Sequence, residues 1–375
     1  MLSPLPTDYS QYQHWTWDDF KPYADELVNH ALTPETLTAW LTNWSDLSRM
    51  LTEMFQRLYV AITVDTTDQD SKAHYNAFLD GIYAPAQTLD QQCKEKLLAS
   101  ALQPDGMHVP LMHMRAEAEV YSDANLPLLA EEFKLGSEYD EIIGAQTVTY
   151  QGKEYTVKQL EPLYLLPDRA AREQVYRLGA ERQLADREVL NDLWMRLMTV
   201  RGQIAANAGL PDYRAYKWKT LHRYDYTPQD CYSFHAAIEQ EVVPVMRRIH
   251  ERRQQRLGVE TLRPWDKDVD PLGRDPLKPY QSIQELEEKA SAIFHRVDPQ
   301  LAGYFDRMRS LGLLDLENRK GKAPGAYCTG FDMTRLPFMF ENAVGLHDDV
   351  ATVLHESGHA FHCFESYHLP FHHQL

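Results

Sequence analysis

The sequence predicts a mainly α protein, with many helices, one β-hairpin and a few short strands beside the last helix. Three observations predict it. Leu37, Trp40, Leu41, Trp44, Leu47, Leu51, Phe55 and Leu58 recur at three- and four-residue spacings, the period of one buried helix face. Alternation of period two is confined to short segments, most clearly QTVTYQGKEYTV at 146–157. Residues 349–367, DVATVLHESGHAFHCFESY, return to helical spacing through Val350, Val353, Leu354, Phe361 and Phe364.

Residues 1–20 set Trp15, Trp17 and Phe20 among prolines, and read as an extended arm packed on the body or as a partner-binding peptide. Pro34 opens the tryptophan-striped helix. Further helices are expected over 70–103 and 110–133, separated by Pro104, Asp105 and Gly106, so that the three form antiparallel hairpins. In the hairpin, Val148, Tyr150, Tyr155 and Val157 flank a turn at Gln151-Gly152. Pro167-Asp168 start a helix expected to reach residue 208, with Asp168 as cap and Gly209-Leu210-Pro211 as stop. Residues 213–226 mix aromatic and basic side chains. That can mark a nucleic-acid surface, but the acidity of the chain favours a structural connection. Thr227-Pro228 begin a helix with Phe234, Ile238, Val242, Val245 and Ile249 on one face. Its arginine-rich end suits the negative end of the helix dipole. The proline-rich loop 264–279 is a lid or a connection, and shorter helices follow over 283–296 and 299–311. Two short strands are expected near 327–329 and 337–340. The chain divides at about residue 200, with residues 1–200 as an N-terminal helical region carrying the hairpin and residues 201–375 holding the H-E-x-x-H helix.

At 375 residues, 43% hydrophobic and 25% charged, the composition is that of a globular protein with ample core. A net charge of −17 opposes nucleic-acid binding, since nothing neutralises a phosphate backbone. Solubility is the plain reading of that charge, and selection of basic peptides the sharper one. The four cysteines form no C-x-x-C pair, so no disulfide framework or zinc ribbon is implied. The start of the chain lacks the pattern of a signal peptide, and no apolar run suits a bilayer. A reducing, cytoplasmic setting without membrane contact is the expectation.

The chemistry centres on His355-Glu356-Ser357-Gly358-His359. Residues four apart on a helix lie about 6 Å apart along its axis on one face, so His355 and His359 can converge on one metal ion. Glu356 points roughly 100° around the helix, a poor co-ligand but well placed to hold a metal-bound water and take its proton. Gly358 in mid-helix suggests close approach of another backbone or of a ligand. His362 stands about 10.5 Å along the axis from His355, too far to share its ion, and Glu365 lies on the wrong face. The strand near Tyr327, with Gly325 before it, offers an edge on which an extended peptide can be aligned by its backbone. The run Gly321 to Gly325 lacks the spacing of a phosphate loop. Three tail histidines, 368, 372 and 373, could bind metal loosely without any chemistry.

Two linked blocks carry a family resemblance: RKGKAPGAYC at 319–328, and PFMFEN at 337–342 running through Asp349-Val350 to HESGHAFH at 355–362. They resemble the oligoendopeptidase F and thimet oligopeptidase family of zinc metallopeptidases. The resemblance implies a mostly helical, clam-like body whose deep channel admits short peptides. It implies one zinc ion on His355 and His359, with Glu356 activating the water. It also implies a glutamate ligand about twenty-five residues after the second histidine, a position that falls past Leu375. The chain would then match the first part of such an enzyme. Metal-dependent endopeptidase action on short peptides is the expected function, and a non-catalytic peptide- or partner-binding protein is the alternative. A companion C-terminal fragment or self-association is expected to cover Phe361, Phe364 and Phe371.

Overall fold

The computed structural model describes residues 5–374. Residues 1–4 of the expected arm, and Leu375 of the histidine-rich tail, lie outside the described residues. The arm is not extended throughout. Helix α1, Trp17–Asn29, begins at a capping box in which the Thr16 N–H donates to Asp19 at 2.8 Å. The arm's aromatics do pack on the body: Tyr12 and Phe20 are fully buried, and Trp15 stacks on Tyr23.

Helix α2, Leu37–Val64, carries the tryptophan stripe inward. Trp40 and Trp44 are 1% exposed, and the Trp40 indole N–H donates to the Leu27 carbonyl at 2.9 Å. Helices α3, Gln69–Phe78, and α4, Ala84–Ala99, form the expected second rod, joined by a π-helical turn at Leu79–Tyr83. Pro85 explains the turn, since a proline lacks the N–H and collides with the carbonyl four residues back. The helix expected over 110–133 is two: α5, His108–Val120, and α6, Leu126–Gly144. Pro127 suits only a first turn, so the chain restarts there.

Strands β1, Thr147–Tyr150, and β2, Lys153–Thr156, form the hairpin, with Gln151 and Gly152 both at positive φ as a two-residue turn requires. The long helix expected to 208 is interrupted at Asp186 into α7, Arg169–Ala185, and α8, Arg187–Asn207. Asp186 accepts from Gln146 and pairs with Arg182, and these contacts hold the break. Asp168 caps α7 as its sequence position predicts. The proline-rich loop is a tied connection, because its buried Asp266 accepts from both Arg169 and Arg172. The basic segment after residue 212 forms α9, Tyr213–Thr220. Lys219 and the following His222 pair with Glu119 and Glu117 of α5, the arrangement of a connection.

Helices α10, Pro228–Ala237, and α11, Val243–Leu257, join through a second π turn ahead of Pro244. Their apolar stripe does not enter the core: Phe234 is 65% exposed, and Val242, Val245 and Ile249 are exposed with it. Periodicity identifies an apolar face but not what covers it. The aromatics expected to need a companion segment are largely covered within the chain itself. Phe361 is buried, Phe364 stacks on Tyr304 with centroids 4.6 Å apart, and Phe371 lies under Arg49.

Helices α12, Ile283–Val297, and α13, Pro299–Ser310, precede a sheet of β3, Leu314–Glu317, β4, Tyr327–Phe331, and β5, Leu336–Ala343, in the order β3-β5-β4. The two expected strands are β4 and β5, paired antiparallel. The third, β3, runs parallel to β5 and is too short to signal itself in sequence. The last long helix, α14, His347–Ser366, lies on this sheet. Val353 and Phe361 close a core with Phe294, Phe305, Met308, Leu316 and Met339. Glu53 of α2 is fully buried and accepts from the Met333 and Thr334 N–H groups, which ties the N-terminal helices to the β4–β5 turn. Among the described residues no helix is long and apolar enough to cross a membrane.

After α14 the tail returns to the N-terminal helices. His372 is buried, with its ring centroid 4.2 Å from that of Trp44, so it is a packing residue rather than part of a loose metal site. Burial, with Lys94 and Arg49 nearby, pushes its pKa down to about 4. The folded state therefore holds His372 neutral, while a released tail protonates near its ordinary value. Docking is fully favourable above about pH 6.5 and weakens as the pH falls from there toward 4. Trp44 fluorescence is expected to report release of the tail on acidification over that window, and His372→Phe to abolish the transition. An unchanged transition in the variant would assign it to another group.

Candidate active site

The start of α14 is fixed by Asp349. One carboxylate oxygen accepts the N–H groups of Val344, Gly345 and Leu346 at 2.7–2.9 Å, together with the Tyr280 hydroxyl. Gly345 sits at φ +102°, which a side chain would resist, and this lets three successive amides turn toward one oxygen. From that anchor Asp349, Val353, Glu356 and Ala360 form the buried face of α14 against the sheet. His355, Gly358, His359 and His362 form the exposed face.

His355 and His359 are brought together as their spacing predicts. Their Nε2 atoms stand 3.3 Å apart and their rings cross at 84°. Two nitrogens bound tetrahedrally at zinc–nitrogen distances near 2.05 Å would lie about 3.3 Å apart. The separation of the donor pair therefore matches that of two ligands on one zinc ion. Glu356, 7% exposed, lies on the buried face of the helix beside that pair. Among the described residues no third histidine, cysteine, aspartate or glutamate completes a set. His362 is exposed, and Glu365 is held on α13 by the Tyr304 hydroxyl at 2.8 Å. Beyond its own helix backbone, Gly358 has no protein atom within 4 Å of where its Cβ would stand, so of the backbone or ligand expected to approach it no other backbone does, and the glycine faces open space.

Tyr327 and Gly325 take different parts. The Tyr327 ring stacks on Phe340 with centroids 4.8 Å apart, and its hydroxyl meets Thr63 at 2.6 Å, so the side chain belongs to the packed face of the sheet. What this residue offers a peptide is its main chain, on a strand at the edge of the sheet. Gly325, at φ +92°, is held by the Asn342 amide donating to its carbonyl at 2.9 Å. Lys322 is not a phosphate ligand. Its ammonium is buried under the carbonyls of Asp315, Glu317 and Glu341, and burial pulls its pKa down to about 8.

Sequence reading singled out neither Glu341 nor the Cys328–Cys363 pair. Glu341 on β5 is 3% exposed. Burial pushes its carboxyl up to about 9, Asp349 and Glu356 push the same way, and Lys322 opposes. Cys328 on β4 and Cys363 on α14 interact between strand and helix, and the neighbouring thiol pushes that of Cys328 up. Neither was legible, because the partners come from segments far apart in the chain.

If the two histidines hold zinc, His355→Ala is expected to abolish tight, stoichiometric binding and His372→Ala to leave it intact. Zinc titration of both variants checks this, and equal loss in both would point to scattered binding.

Residues 163–369 match the profile of peptidase family M3, and residues 8–105 match the M3 N-terminal domain. No curated protein matches the chain. Among solved structures, the chain is similar to PZ peptidase A with an inhibitor, at 25% identity and a TM-score of 0.90, over 97% of this chain and 66% of that one. It is also similar to a structure bearing the name oligoendopeptidase F, from Bacillus anthracis strain Ames. That match has 23% identity and a TM-score of 0.90, over 98% of this chain and 69% of the other. A further oligoendopeptidase F structure matches at 25% identity and a TM-score of 0.87, over 98% of this chain and 65% of that one. The chain thus spans about two-thirds of the length of these structures.

Proposed function

Since this chain belongs to peptidase family M3, we propose that the protein is a zinc-dependent endopeptidase acting on internal bonds of short peptides. The observation that carries the zinc reading is the 3.3 Å approach of the two imidazole nitrogens. His355 and His359 would hold the ion, which, when bound, supplies the positive charge that polarises a scissile carbonyl and acidifies water. Glu356, on the adjoining face of the same helix, accepts the proton of the attacking water and passes it to the leaving amine. The backbone from Gly325 through Tyr327 aligns the peptide at the edge of the sheet, which supplies the positioning part of the rate enhancement. In this reading residues 201–375 belong to the catalytic unit and residues 1–200 to the helical region that walls it.

A second reading is favoured by one observation, the absence of a third donor beside His355 and His359 among the described residues. It is a peptide- or partner-binding protein of the same family without hydrolytic activity. Cleavage of an internally quenched mixed peptide, with zinc and a chelator control, decides between them. Chelator-sensitive cleavage supports the enzyme. No cleavage, with peptide binding retained, supports the second reading.

A further inference from the structure

Behind Gly325 lies a cavity of about 400 Å³, bounded on one side by Gly325 and Ala326 and on another by Thr352, one turn ahead of His355. The volume is in the range of roughly 300–1,000 Å³ usual for small-molecule sites. Two of the residues that line it each hold a buried side-chain oxygen without a hydrogen-bond partner: Oε2 of Glu341 and Oε1 of Gln146. Their side chains are 3% and 2% exposed. A buried polar atom without a partner costs free energy, so a ligand that supplies one is favoured.

Both orphans can accept. The Gln146 amide has already committed its nitrogen to Asp186 at 2.8 Å, which leaves only the oxygen to take a partner. The cations of the lining are all engaged: Lys158 with Glu161, Arg319 with Asp315, and Lys322 with three carbonyls and Asp315. Asp348 adds an exposed carboxylate at the rim. The missing element is a donor, and the carboxyl groups around it make a positive one the best fit.

We propose that this cavity recognises a cationic amine or guanidinium, from a lysine or arginine side chain or from the amino terminus of a peptide laid along β4. The group enters beside Gly325, donates to Glu341 and Gln146, and leaves the peptide main chain at the strand edge. Glu341 is protonated while the cavity is empty. Asp349 and Glu356 of α14 disfavour its charge, and Lys322 and Lys158 favour it. An entering cation adds a positive charge at the carboxyl, so Glu341 gives its proton to solvent as the ion pair forms. The inference takes its substrate class from the peptidase reading, but the binding it describes needs neither metal nor catalysis.

The test is calorimetric titration of the chain at pH 7, in two buffers of different ionisation enthalpy, with three peptides. They are acetyl-Ala-Lys-Ala-amide, acetyl-Ala-norleucine-Ala-amide and Ala-norleucine-Ala-amide with a free amine. At least one cationic peptide is expected to bind about tenfold or more tightly than the doubly capped norleucine peptide. Binding should release close to one proton. Glu341→Gln, isosteric with the neutral acid and so not expected to alter folding, should erase both the preference and the proton release. Gln146→Met should weaken the preference while the carboxyl remains. Preference for the acetylated lysine peptide assigns the pocket to a side chain, and preference for the free-amine peptide to the terminus. Equal affinity for all three, binding of none, or a preference that survives Glu341→Gln overturns the proposal. Zinc-dependent cleavage of lysine and norleucine peptides at equal rates would overturn it too, and would leave the peptidase reading in place.

Discussion

Glu356→Gln is expected to lower zinc-dependent peptide cleavage by about 10²–10⁴-fold, the usual contribution of a positioned proton acceptor. Glutamine keeps the shape of the side chain and loses only its capacity to accept a proton. Glu356 lies on the buried face of α14, while His355 and His359 share the exposed one, so zinc binding should persist in the variant. Folding should persist as well, because the substitution removes a carboxylate placed near Glu341. Rate and zinc content measured on the same preparation separate the outcomes. Loss of cleavage with zinc retained assigns the proton transfer to Glu356. Full activity in the variant would sink that role and leave the histidine pair without its base.

Asp349→Ala is expected to produce the largest loss of stability of any single change near the site. The carboxylate is 3% exposed and meets the donors of Val344, Gly345, Leu346 and Tyr280. Alanine leaves buried donors without an acceptor, at a cost of about 3–5 kcal/mol. The corresponding fall in melting temperature is roughly 4–6 °C for a chain of this size. Tyr280→Phe removes one donor and leaves the others paired, so its cost should be nearer 1 kcal/mol. Denaturant unfolding of both variants gives the comparison. Similar, small losses would mean that α14 is held by its packing rather than by its anchor. Zinc affinity should fall with Asp349→Ala but not with Tyr280→Phe, because the anchor sets where His355 and His359 stand relative to the sheet.

Which elements were legible in sequence follows from the range of the interactions that make them. Helix α2 was legible because its stripe of Leu37, Trp40, Trp44 and Leu47 is a local pattern, and the structure buries each of them. The hairpin was legible because its register depends on a two-residue turn between its own strands. The interruptions at Leu79–Tyr83 and Ile238–Val242 were not, although Pro85 and Pro244 marked both places, since a proline is compatible with a kink, a stop or a π turn. Strand β3 was missed because four residues carry too little pattern, and only its pairing with β5 defines it.

The candidate site divides in the same way. The sequence by itself determined the pairing of His355 with His359 and the separate direction of Glu356, because a helix fixes the angle between residues one and four apart. It also determined the capping at Asp168, and the exclusion of His362 and Glu365 from the histidine pair. Only the tertiary structure decided that Tyr327 packs inward and that Gly358 faces open space. It alone decided that the apolar face of α10 and α11 stays bare while Phe361 is covered. Glu341 and Gln146, about two hundred residues apart in sequence, line one cavity only because β5 and the segment before β1 meet beside α14. Periodicity and motif spacing record how a residue is placed relative to its near neighbours in the chain. Burial, unpaired polar atoms and shifted acidity depend on which distant segments come into contact, and those contacts exist only once the chain has folded.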